Sequence, residues 1–166
     1  MVNKNFLTGI LILIAGVAVY YFFFYENDER AIQKRFDFLE ENMSKKADES
    51  QISALKRLTA IKTVFTQNVY FEIENRSMAG EYLSSEIARR AGGLRAQFTR
   101  LTLKFYDVNI DLSQGLTAAV MATARITGNK KNGEQAAETR ELEFGLKKTD
   151  GDWLISEVKA VEVLEK

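Results

Sequence analysis

The chain has 166 residues, with 23 basic and 23 acidic side chains and no histidine, cysteine or proline. Without histidine and cysteine it lacks the usual neutral-pH general base, thiolate chemistry, disulfides and cysteine- or histidine-bound metal centres. The balanced charge offers no one-sign field for nucleic acid, and no glycine-rich phosphate loop implies a nucleotide cofactor.

Phe6 to Tyr25 reads FLTGILILIAGVAVYYFFFY, twenty residues without a charge. As a helix it spans about 30 Å, the thickness of a bilayer's hydrocarbon core. Tyr20, Tyr21 and Tyr25 sit at its far end, where the headgroup interface suits an aromatic body with a polar tip. The pattern predicts a short tail over 1–5 and a transmembrane helix over 6–25. Cleavage near Gly16-Val17-Ala18 would leave VYYFFFY exposed, and Lys4 is the only charged side chain ahead of the run. An uncleaved signal anchor follows. Lys4 and the amino terminus on one side, with Glu26, Asp28 and Glu29 on the other, place the N-terminus inside. The remainder is then expected outside a bacterial inner membrane, in the periplasm.

No glycine occurs between Gly16 and Gly80, so a membrane-proximal helix over 26–47 can follow the span without a break. Ile32, Phe36, Leu39 and Met43 form its apolar stripe, and Phe38 stands off that stripe as a candidate contact for a partner or lipid. Residues 48–166 form the rest of the soluble domain. Asp48 or Ser50 caps a second helix that buries Leu55, Leu58, Ile61 and Phe65. Val69, Phe71 and Ile73 alternate with Tyr70, Glu72 and Glu74 as a short strand. A third helix is expected over 78–91, with Tyr82, Leu83 and Ile87 inward and Gly92-Gly93 at its end. Arg89, Arg90 and Arg95, with Arg100 beyond, are candidates for meeting lipid headgroups or an acidic partner. The plainer reading is charges at a helix C-terminus.

Four strands follow from Phe98. Leu101, Leu103 and Phe105 share one parity, while Tyr106, Val108, Ile110 and Leu112 share the other, which predicts a β-bulge near Phe105–Tyr106. Gln114-Gly115, the stretch Gly128 to Gly133 and Thr149 to Asp152 are turns. Ala118, Val120, Ala122, Ala124 and Ile126 line one side of the strand after the first turn. Glu138, Arg140, Glu141 and Glu143 read as a charged outer face, and the spacing from Ile155 to Val158 predicts a second bulge. Asp107, Asn109 and Asp111 are spaced like the start of a calcium loop, but Leu112 and Ala118 stand where that loop needs glycine and glutamate. A strand face is the reading. The fold class is α+β, helices packed on a strongly curved antiparallel sheet.

Asp150 to Val158, DGDWLISEV, resembles the last strand of nuclear transport factor 2-like (cystatin-like) proteins, with their W-x-I-x-x-V pattern at Trp153, Ile155 and Val158. The resemblance covers about residues 28–165 and implies their cone-shaped α+β domain behind the anchor. It leaves function open, because that fold hosts enzymes, binders and scaffolds. Histidine–aspartate catalysis of the kind the family uses cannot be carried over. An acid-only enzyme using aspartate and tyrosine, from Tyr70, Tyr82, Tyr106, Asp107 and Asp111, is one alternative. A small-molecule or lipid binder with an apolar pocket lined by Tyr82, Phe98, Phe105, Met121 and Trp153 is another; as plain core, these residues need no ligand. The leading expectation is a non-enzymatic interaction or assembly module with protein partners or a second copy, anchored to the bilayer through Phe6–Tyr25. No catalytic residue, metal ligand or cofactor site is assigned.

Overall fold

The structure, a computed structural model, describes residues 27–73, 78–112 and 115–161. The expected span Phe6–Tyr25 lies outside the described residues. Among the described residues, no helix is long and apolar enough to cross a membrane.

Helix α1 (Asp28–Met43) starts where the Asn27 side chain accepts a hydrogen bond from the Arg30 N–H at 2.9 Å. It buries Ile32, Phe36 and Leu39 as the stripe requires. It ends at Ser44, which turns extended. Ser44 Oγ then accepts from the Leu103 N–H at 3.1 Å. Helix α2 (Gln51–Lys62) is capped by Ser50, whose side chain accepts from Ser53 N. It buries Ile61 but leaves Leu55 and Ile52 about two-thirds exposed, at 68% and 71%. The expected inward role of Leu55 is therefore corrected: it lies on the solvent side of a helix held by its C-terminal half.

Strands β1 (Phe65–Ile73) and β2 (Met78–Leu83) pair as an antiparallel hairpin. The helix expected from residue 78 is thus a strand up to Leu83, and Leu83 is exposed rather than buried. Helix α3 (Ser84–Ala96) follows and runs through Gly92-Gly93 instead of ending there. A side chain on Gly92 would stand 2.9 Å from a Leu58 methyl, so this glycine permits α2 to approach α3.

Strands β3 (Phe98–Asp111), β4 (Thr117–Lys130), β5 (Gln135–Thr149) and β6 (Asp152–Ala160) form a meander. The six-stranded sheet has the order β2-β1-β6-β5-β4-β3. All neighbours are antiparallel except β1 and β6, which run parallel, so the sheet is mixed rather than antiparallel throughout. The β3–β4 register shifts between Tyr106 and Asn109, beside Asp107 at φ 53°. The β5–β6 register shifts beside Ser156. Both expected bulges are present within a residue or two of where the parity changed. They bend the sheet around the helices.

The core lies between the three helices and the inner face of the sheet. Phe36, Phe105 and Phe144 make a three-ring cluster of edge-on contacts, with centroids 5.0 to 5.8 Å apart. Trp153, 1% exposed, is sealed at one end of this core.

Candidate functional site

The inner faces of β4 and β5 are covered along only part of their length. From the register, Val120 faces Phe144 and Ala122 faces Leu142, and here the strands pack under the helices. Farther along, Ala124 faces Arg140, Ile126 faces Glu138 and Gly128 faces Ala136. At Arg140 the inner face of β5 changes from apolar to charged, because the strands have run past the helices. Small side chains on β4 leave room there. The result is an open groove of about 650 Å³.

Its walls are Leu94 and Gln97 at the end of α3, Phe98, Ile126, Leu142, and Ile73 at the end of β1. Its rim is polar. Arg140 Nε lies 2.7 Å from Glu138 Oε1, and Lys130 Nζ lies 2.9 Å from Glu134 Oε2. Hydrogen bonds from Lys130 and then Asn132 hold the Glu134 carboxyl below its ordinary range. Two cations and two anions therefore close on one another around an apolar trough. Such a site admits an apolar, uncharged body and gives a lone anion no net attraction.

The five residues expected to line a pocket do not converge. Phe98 forms part of the groove floor. Phe105 belongs to the ring cluster, and Trp153 is core, its Nε1 donating to Asp28 Oδ1 at 2.9 Å. Tyr82 packs edge-on against Phe71 at 5.8 Å, with Arg90 stacked over its ring. Met121, 40% exposed, points to the outer face of the sheet, opposite the groove. Its parity differs from that of Val120 and Ala122, so it cannot share their side.

Sequence reasoning missed Ile73, Leu94 and Leu142 as groove walls. It also placed Glu138 and Arg140 outside. These two share the parity of Leu142 and Phe144, and that alternation was the available signal. Their charge suggested solvent, and they do meet solvent, but from the concave side. Glu141 and Glu143 are on the outer face as expected.

Of the surface candidates, Arg89 and Arg90 are exposed and Phe38 is 38% exposed. Arg95 is corrected from surface to interior at 3% exposure. It donates to the Asn42 and Ser44 carbonyls at 3.0 and 3.3 Å and grips both Glu49 carboxylate oxygens at 2.7 Å. It is a clasp between α1, α3 and the segment joining α1 to α2. Tyr70, Tyr106, Asp107 and Asp111 are exposed and stand outside the groove. No group of three or more acidic side chains that could hold a metal ion occurs among the described residues.

No family model and no curated protein matches the chain. Solved structures do. A Kribbella flavida protein aligns with a TM-score of 0.65 at 14% identity, covering 81% of this chain and 89% of that one. The fold is cystatin-like. A Nostoc punctiforme protein described as having that fold aligns at 0.59 and 10% identity, over 80% of this chain and 89% of its own. A hexachlorocyclohexane dehydrochlorinase from Novosphingobium barchaimii aligns at 0.62 and 10% identity, over 80% and 84%. The shared architecture is the nuclear transport factor 2-like α+β domain that the Trp153 motif implied. At these identities the likeness is one of fold, and it spans enzymes and proteins of other kinds.

Proposed function

We propose that the chain is a single-pass bacterial inner-membrane protein. Phe6–Tyr25 anchors it with the N-terminus inside, and its cystatin-like domain on the exported side binds a small apolar molecule without transforming it. The groove between α3, β4 and β5 carries this reading: its volume suits a small ligand and its walls are apolar. The paired state of its four charged groups favours binding over catalysis, since each acid is already committed to a cation. The aspartates and tyrosines that an acid-only enzyme would need lie elsewhere.

A second reading is an assembly module that meets a protein partner or a second copy through the outer face of the sheet. The observation favouring it is the exposure of Met121 and Tyr106, at 40% and 49%, on that face.

Photo-crosslinking separates the two. p-Benzoylphenylalanine placed at Ile126 in the full chain, irradiated in intact membranes, is expected to yield an adduct of a few hundred daltons. The same group at Met121 should give none. Protein adducts at Met121 with nothing at Ile126 would replace the binder with the assembly module.

A further inference from the structure

The start of α1 and two turns of the sheet are fastened together into one end of the domain. Lys148 Nζ donates to Asp28 Oδ1 at 2.5 Å, and the Lys148 N–H donates to the Leu116 carbonyl at 2.8 Å. Arg35 of α1 pairs with Asp152, just past the Asp150–Gly151 turn. At this end Leu116 is 69% exposed although apolar, and exposed Lys147 stands beside it, opposite Thr117.

The uncharged run ends at Tyr25, two residues before the Asn27 cap. Two residues reach about 7 Å at most. A span ending there brings the first turn of α1, and everything fastened to it, to the headgroup layer.

We propose that this end of the domain, with Leu116 and Lys147 foremost, rests on the headgroups of the bilayer that holds the anchor. The proposal depends on the anchor reading above. The occupant is the lipid surface because the tether leaves no room for a protein between the two. Glu26, Asp28, Glu29, Asp150 and Asp152 stand against Arg30, Arg35, Lys147 and Lys148, so this end offers no net positive charge. The short tether, not attraction to anionic lipid, therefore supplies the contact. Leu116 then lies among the lipid headgroups and not in bulk water.

The groove has the opposite address. Lys45, two residues past the end of α1, donates to the Phe98 carbonyl at 2.7 Å, and Phe98 floors the groove. Helix α1, 16 residues and so about 24 Å long, separates the two ends. On this placement the groove lies at the end remote from the membrane, so its ligand arrives through water and not by sideways entry from the bilayer.

The absence of cysteine makes the test direct, because each introduced cysteine carries the only label. Leu116→Cys, Asn132→Cys at the far hairpin and Val17→Cys in the anchor are each labelled with an environment-sensitive fluorophore. The full chain is then placed in phosphatidylcholine vesicles containing a lipid-borne quencher. The expected result is strong quenching at position 17 and several-fold more quenching at 116 than at 132, unchanged on adding phosphatidylglycerol. Equal weak quenching at 116 and 132, with position 17 strongly quenched, overturns the resting surface and keeps the anchor. No quenching at position 17 overturns both.

Discussion

Arg95 and Glu49 meet as a two-pronged ion pair, both carboxylate oxygens 2.7 Å from one guanidinium nitrogen, with side chains only 4% and 6% exposed. Arg57 approaches the same carboxylate at 3.1 Å from the more open side. Arg95 Nε has no partner among the described residues, so the clasp is not fully satisfied. Its weight lies in what each partner does to the other. Removing Glu49 leaves the Arg95 charge shut away from water without a counterion, which costs about 3–5 kcal/mol, whereas removing Arg95 still leaves Glu49 its Arg57 partner. Glu49→Leu in the full chain is therefore expected to lower the urea midpoint steeply, and Glu49→Leu with Arg95→Met to recover a large part of the loss. A single variant as stable as the native chain would mean that the pair contributes nothing.

Gly93 in α3 and Gly128 late in β4 predict opposite signs. Nothing stands within 4 Å of where a Gly93 side chain would be, and the residue is exposed inside a helix. Gly93→Ala should stabilise by about 0.5–1 kcal/mol, the ordinary difference between these residues in a helix interior. A side chain on Gly128 would lie 2.4 Å from the Arg100 carbonyl oxygen, a backbone atom with no freedom to move aside. Gly128→Ala should destabilise by about 1–3 kcal/mol and loosen the β3–β4 pairing beside the groove. Thermal midpoints of the two variants check both signs.

The same residues show how much of the fold was legible. Period two from Leu101 to Val158 located four strands and both bulges, because inward and outward positions obey strict alternation wherever one face is buried. Gly92-Gly93 misled because glycine ends helices by its conformational freedom, whereas here it serves helix-to-helix approach, which depends on a distant residue, Leu58. Residues 78–83 became a strand because a partner, β1, was available to pair with them. Arg95 looked like a surface charge for a similar reason: Glu49 is 46 residues away, and nothing local announces the meeting. Of the groove, only Phe98 stood among the residues expected to line a pocket. Ala124 and Ala136 leave space in it, but where the helices stop covering the sheet depends on packing and not on periodicity.

Phe144 faces Val120 on the inner sheet and holds Phe36 and Phe105 in edge-on contact, at 5.0 and 5.8 Å. Being 3% exposed, it leaves a cavity when truncated. Phe144→Ala is expected to cost about 3–5 kcal/mol, while Phe144→Leu, which keeps most of the volume and loses the ring contacts, should cost roughly half as much. Equilibrium urea unfolding measures both. Equal small losses would show that the three rings are not the centre of the core.

Asp28 joins α1 to the β5–β6 hairpin and carries a pH dependence. Hydrogen bonds from Lys148 and then Trp153 hold its carboxyl below the ordinary 3.8. A carboxyl lowered in the folded state stays ionised there after the unfolded chain has taken up a proton. Its contribution is therefore complete above about pH 4 and is lost as pH falls through the folded value. The side chain is 38% exposed, so water screens part of the effect. Trp153, the chain's one tryptophan, donates directly to this carboxylate, so its emission should report both the local bond and unfolding. Native chain and Asp28→Asn are expected to differ in urea midpoint near neutral pH, the native being more stable, and to converge as the pH falls below the lowered folded-state value and the native carboxylate protonates. A gap that stays constant across that range would mean the carboxylate's charge adds nothing to its hydrogen bonds at the base of α1.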